Sequence, residues 1–145
     1  MSVEVSRQFI LDDDARQTLT ALADLLIPGN ERMPSASQAG VGEKWIDRAA
    51  IARSDWAGDL VTLLENARGK EYRIILADLQ ALHPASFTML TEMVAGAYFM
   101  NPEVRKLIGY PGQQAIPIAE QPEEGLEELI DPVIRRGPIY RSCPS

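Results

Sequence analysis

The sequence predicts an all-α fold, a small helical bundle of about five to six helices followed by a long irregular C-terminal arm. Apolar residues recur at helical spacing in successive segments up to Ile108, and glycines and prolines separate these segments. The periodicity then fades. The 145 residues, 46% of them hydrophobic, suffice for one buried core. We expect a single helical domain over 1–145, with a core at about 12–108 and the arm at about 109–145.

The composition argues against several classes of function. There are 21 acidic residues against 14 basic ones, a net charge of −7, which opposes binding to nucleic acid or an acidic membrane surface. No segment has the uninterrupted apolar length of a membrane span. The single cysteine, Cys143, and the single histidine, His83, cannot supply the usual zinc, iron–sulfur or haem ligand sets. We expect no metal site in this chain.

The first two predicted helices flank a polar loop. Apolar residues recur over 12–27 behind three aspartates that suit a helix N-terminus, and Pro28 and Gly29 end this helix. The loop covers 29–37. A second helix is predicted from Gln38 to about Ala52, although its glycines disfavour helix.

Two further helices follow closely. Ser54 and Asp55 form a plausible N-cap for the third helix, and Gly69 stands where its C-cap is expected. The fourth covers 71–82 and ends before Pro84. The short connection to the next helix predicts antiparallel neighbours.

The fifth predicted helix, 86–100, has two apolar faces. They are Phe87, Leu90, Val94 and Tyr98 on one side, and Met89, Met93 and Met100 nearly opposite. Such a helix either runs through the middle of a bundle or gives one face to another protein. Asn101 and Pro102 then begin a short helix that ends near Ile108.

The arm keeps apolar residues without a clear pattern. A turn at 109–112 precedes a stretch without regular structure, and a short acidic helix is predicted over 123–130, before Pro132. Apolar groups outside a core stripe need cover. The residues predicted to contact a partner are therefore Met89, Met93, Met100, Tyr110, Pro111, Ile139 and Tyr140.

No motif for catalysis or cofactor binding stands out. His83 lies at a helix end, where it can interact with the last carbonyls, and no serine has a nucleophile setting. Gly-rich phosphate-binding loops are absent. The acids at 120–131 fit no calcium loop and indicate a solvated face, with docking onto a basic surface as the alternative. Cys143 is either an inert thiol or half of a bridge to another chain.

Two stretches carry a family resemblance. The first, 19–49, has Ile27-Pro28 at a helix end, proline and small residues at 34–36, Ala39-Gly40-Val41 and Asp47. The second, 97–113, has Tyr98-Phe99, Asn101-Pro102-Glu103-Val104-Arg105 and Gly109-Tyr110-Pro111-Gly112. Together they resemble the gluconate 2-dehydrogenase subunit 3 family, and the likeness beyond Gln113 is loose.

The resemblance implies a non-catalytic small subunit that binds and stabilises a large FAD-dependent oxidoreductase of the glucose-methanol-choline class, and that helps it assemble or be exported. FAD and the catalytic histidine would lie in the large subunit, which oxidises sugars, sugar acids or related alcohols. The expected assembly is a hetero-oligomer. Many family members carry a twin-arginine export signal, whereas only about eleven residues precede the first helix here. We expect a cytoplasmic complex, with export to the periplasm alongside the large subunit as the alternative.

Two alternatives from other classes stay open. One is an independent helical enzyme or small-ligand binder with its pocket between the fourth and fifth helices. The other is a self-associating structural module that uses the methionine face in a homodimer.

Overall fold

The computed structural model describes residue 9, residues 11–115 and residues 126–139. Seven α-helices and one π-helical turn occur in these residues, with no strand among them, which confirms the all-α prediction. In chain order they are α1 Asp13–Leu26, the π-helical turn Val41–Trp45, α2 Ile46–Ala52, α3 Ser54–Ala67, α4 Tyr72–Leu82, α5 Pro84–Met100, α6 Pro102–Leu107 and α7 Leu126–Arg136. The contacts group into two units, Met1–Gly112 and Gln113–Ser145, so that α1 to α6 belong to the first and α7 to the second.

Helices α1 and α6 begin with side-chain caps, as the sequence indicates. The Asp12 carboxylate accepts the Ala15 N–H at 2.7 Å, and the Asn101 side chain accepts the Glu103 N–H at 2.9 Å. Pro102 occupies the first turn of α6, where a missing N–H costs nothing. Both predicted helices are confirmed with nearly the expected bounds.

The second predicted helix is not one continuous helix. Gly40 takes a left-handed conformation with φ at 70°, the π-helical turn follows, and Glu43 within it leaves helical geometry at φ −98° and ψ −130°. Regular α-helix begins only at Ile46. The low helix propensity of glycine allows this break, and Gly42 approaches α1 so closely that a Cβ there would collide with the Thr20 side chain.

Helix α3 begins one residue earlier than predicted. Ser54 lies inside the helix, and the residue at the N-cap position, Arg53, makes no capping hydrogen bond from its side chain. Gly69 follows the helix with φ at 72°, a conformation that glycine adopts freely. Helix α4 packs against α5, as the short connection between them predicts.

Helix α5 runs through the middle of the bundle. It contacts α2, α3, α4, α6 and the π-helical turn, and buried residues lie on both of its apolar faces. Met89 is 5% exposed and Met93 is 1% exposed, so both belong to the core of this chain. We therefore remove Met89 and Met93 from the predicted partner contacts, because almost none of their surface is left for another protein to touch.

Helix α7 corrects the prediction for the arm. The sequence predicts an acidic helix that ends before Pro132, whereas α7 continues through Pro132 to Arg136. A proline inside a helix removes one backbone hydrogen bond. The prediction took the proline as the end of the helix. Val133 and Ile134 nevertheless continue the helical spacing of the apolar residues before Pro132.

Candidate functional site

The two family-like stretches meet where the loop at 27–40 crosses the end of α5. The Tyr98 hydroxyl donates a hydrogen bond to the Pro34 carbonyl at 2.7 Å. The Asn101 side-chain amide donates to the Ala39 carbonyl at 2.9 Å. Tyr98 is 3% exposed, and its burial raises the pKa of its hydroxyl. The polar groups of both stretches therefore hold the fold together at this crossing.

The same loop is fixed to α1. The Ser37 N–H donates to the Asp24 carboxylate at 2.7 Å. Partial burial tends to raise the pKa of Asp24, but the hydrogen bonds from Ser37 and Ser35 outweigh it and hold the pKa below its usual value of 3.8. Gly29 has φ at 75°, and a Cβ there would lie 2.5 Å from the Ser35 backbone nitrogen. The loop is thus fixed by its hydrogen bond to α1, and its close approach at residue 29 requires glycine.

Arg16 connects α1 to the start of α2. Its guanidinium donates to both carboxylate oxygens of Asp47, at 2.9 and 3.1 Å, and to the carbonyls of Gly42 and Glu43 at 3.0 and 3.1 Å. Asp47 is one of the residues that carry the family resemblance. Both of its carboxylate oxygens accept hydrogen bonds from one guanidinium nitrogen of Arg16, so we assign it a structural role.

A groove opens between α3, α4 and α5. Helices α3 and α4 both pack on α1 and α5 and have at most sparse contact with each other, which leaves a gap between them. This groove has a volume of about 660 Å³. It is lined by Trp56, Asp59, Thr62, Leu63, Asn66, Ala67, Lys70, Ile75, Asp78, Leu79, His83, Ala85, Ser86 and Met89. This is the region where the ligand-binding alternative placed a pocket, and residues of the fourth and fifth helices do line the groove.

A second surface lies at the end of α6. Leu107, Ile108, Tyr110 and Pro111 are all exposed there, and we call them the α6 patch. Tyr110 and Pro111, both predicted as partner contacts, help to line a hollow of about 390 Å³ beside Arg105 and Lys106. Met100, also predicted as a contact, is half-buried against the core.

A third surface is the apolar side of α7. Leu129, Ile130, Val133 and Ile134, here called the α7 stripe, are between 43% and 76% exposed. Asp131 and Arg135 of the same helix form an ion pair one turn apart, at 2.8 Å. Ile139, a predicted contact, is 70% exposed, whereas Tyr140 lies outside the described residues.

The second half of the α7 stripe, Val133 and Ile134, was not predicted from the sequence as part of a helix. Its signal is present in the sequence, since Leu129 and Ile130 are followed by Val133 and Ile134 at a spacing of four residues. Treating Pro132 as a helix end hid the second pair. The groove has no comparable signal, because the sparse contact between α3 and α4 is a property of the packing.

In the described part of the chain, no three His, Cys, Asp or Glu residues are grouped so that they could hold a metal ion. None of its helices is long and apolar enough to cross a bilayer. Neither the protein-family models, nor the curated proteins, nor the solved structures yield a significant match to this chain.

Proposed function

We propose that this chain is the non-catalytic small subunit of a hetero-oligomeric FAD-dependent sugar or alcohol dehydrogenase of the glucose-methanol-choline class. It binds and stabilises the large subunit, and it assists the assembly or export of the complex. FAD and the catalytic groups belong to the large subunit in this proposal. Two supports are independent of each other: the family-like stretches, and the apolar surface that the described residues leave exposed.

The observation that carries the proposal is the exposed α7 stripe. Covering its four aliphatic side chains would contribute about 1–2 kcal/mol each, given how exposed they are. Helix α7 has 11 residues and contains Pro132. Helices shorter than about 12–15 residues are marginal in water on their own, and an internal proline weakens them further. A partner that covers the stripe would therefore stabilise both the helix and the complex.

The α6 patch is the second proposed contact surface. In this proposal Tyr110 and Pro111 contact the large subunit from the first unit, and Ile139 joins the α7 stripe in the second. Neither surface includes Met89 or Met93. The homodimer alternative used the methionine face of α5, and two of its three methionines, Met89 and Met93, are buried.

Co-expression with the flavoprotein encoded beside this chain tests the proposal. The two chains are passed together through size-exclusion chromatography with light scattering, while flavin absorbance is recorded. We expect one peak that contains both polypeptides and FAD. Separate elution, with full dehydrogenase activity in the large subunit alone, would overturn the proposal.

A pair of variants tests whether the α7 stripe makes the contact. Leu129→Glu places a charge at a residue 76% exposed, and Ile51→Glu makes the same change on α2 at a residue 74% exposed. We expect Leu129→Glu to weaken co-elution at least about tenfold, because a carboxylate buried in an apolar interface is costly. The Ile51→Glu chain should co-elute like the unchanged one. Equal effects of the two variants would exclude the stripe as the contact.

A further inference from the structure

The groove between α3, α4 and α5 leaves apolar side chains of this unit incompletely covered. Helices α1, α2, α3, α5 and α6 each have at least one buried residue, whereas α4 has none. Ile75 and Leu79 of α4 are only half-buried where they border the groove. Leu63 and Met89 are almost fully buried and also line it. The groove therefore has an apolar interior that its own helices do not fill.

The dimensions of the groove favour an elongated occupant. Along α3 its lining runs from Trp56 to Ala67, which is about 17 Å at the helical rise of about 1.5 Å per residue. The groove is open on one side, so a helix, which is about 10–12 Å across with its side chains, can lie over it. One row of side chains from a helix lying over the groove fits.

The charges along the groove favour basic groups at the edges of that occupant. Asp59 on α3 and Asp78 on α4 place a carboxylate on each wall. Lys70 and His83 are the other titratable lining residues, and they lie at opposite ends of α4. Between these two ends, the charged groups in the lining are the Asp59 and Asp78 carboxylates. An acidic group lying between the walls would be repelled, and lysine or arginine side chains would be attracted.

We propose that this groove binds an amphipathic helix of a partner protein, with a row of apolar side chains in the groove and basic side chains facing Asp59 and Asp78. The apolar anchors of the partner helix follow the spacing i, i+3 or i+4, and i+7. No residue of the α6 patch or the α7 stripe lines the groove. The proposal therefore stands or falls independently of the proposed function.

A labelled synthetic peptide tests it with the full chain. The probe is a fluorescein-labelled amphipathic helix of about four turns, with leucines at the anchor positions and lysines at both edges. Its fluorescence anisotropy is titrated with the protein. We expect saturable binding, weakened about three- to tenfold by Asp59→Asn with Asp78→Asn, because exposed ion pairs contribute modestly. A peptide with glutamates in place of the lysines should bind more weakly than the lysine peptide.

Matched variants locate the binding. Asn66→Phe fills the groove from an exposed lining position, and Glu65→Phe adds the same ring at the neighbouring exposed position outside the lining. We expect the first to abolish peptide binding and the second to leave it unchanged. Equal affinity for the lysine and glutamate peptides would overturn the proposal. So would binding of a long-chain alkyl carboxylate without binding of the lysine peptide, or a homodimer that Asn66→Phe dissociates.

Discussion

Several polar side chains in the family-like stretches hold this fold together through hydrogen bonds to residues that are far away in the sequence. The Tyr98 hydroxyl reaches Pro34, and the Asn101 amide reaches Ala39. The sequence predicts the capping role of Asn101, because a cap involves neighbouring residues. It does not predict that Tyr98 contacts a loop 64 positions away. Helical spacing places Tyr98 on an apolar face and carries no information on which loop crosses that face.

The hydroxyl of Tyr98 should contribute measurably to stability. Tyr98→Phe removes the donor to the Pro34 carbonyl, in a place where the tyrosine is 3% exposed and water cannot easily replace it. We expect the free energy of unfolding to fall by about 1–2 kcal/mol, measured by urea denaturation. Tyr110→Phe, at an exposed tyrosine, should change it by less than about 0.5 kcal/mol. Equal losses in both variants would contradict the assigned role.

The carboxylate of Asp24 should make stability depend on acid pH. Its pKa in the folded chain lies below the usual 3.8, so it stabilises the fold above that pH, and this contribution is lost as the pH falls through the folded pKa. Asp24→Asn should lower the free energy of unfolding by about 1 kcal/mol near neutral pH, since the group is partly exposed. Urea titrations from neutral pH to below 3.8 should show the difference shrinking. A difference that stays constant over this range would exclude the carboxylate charge as its cause.

The helices differ in how much of each could be read from local sequence. Helices α1 and α6 were predicted well, because their caps and breakers lie within a few residues of their ends. The π-helical turn was not, and its Gly42 lies so close to α1 that a Cβ there would collide with the Thr20 hydroxyl. That constraint comes from a distant segment. In α7 the apolar spacing and Pro132 gave opposite indications, and the spacing prevails in the structure.

Two glycine substitutions separate close packing from helix propensity. Gly42→Ala should lower the free energy of unfolding by about 1–3 kcal/mol, because the new methyl group meets Thr20 at the contact between α1 and the π-helical turn. Gly58→Ala in α3 meets nothing within 4 Å and should raise it by about 0.5–1 kcal/mol. Thermal and urea unfolding of both variants measure the contrast. Stabilisation by both substitutions would show that α1 does not restrict residue 42.

At the scale of the whole chain, Met89 and Met93 show why only part of the candidate site could be predicted. Periodicity identified two apolar faces on α5 and could not decide whether a neighbouring helix or a partner covers the second. The structure covers both faces from within. Tyr110 and Ile139 were placed outside any helical stripe, and both are exposed. The contact of Tyr110 and Ile139 with a partner stays a prediction.

Amide hydrogen–deuterium exchange of the chain, alone and with the co-expressed flavoprotein, is the most direct test of the central claim that a large subunit covers surfaces this chain leaves open. We predict slower exchange on complex formation at 107–111 and 126–136, because the α6 patch and the α7 stripe become covered and α7 is stabilised. The interior amides of α5, already protected in the free chain, should change little. Unchanged exchange in both regions, with the flavoprotein present in excess, would contradict the claim.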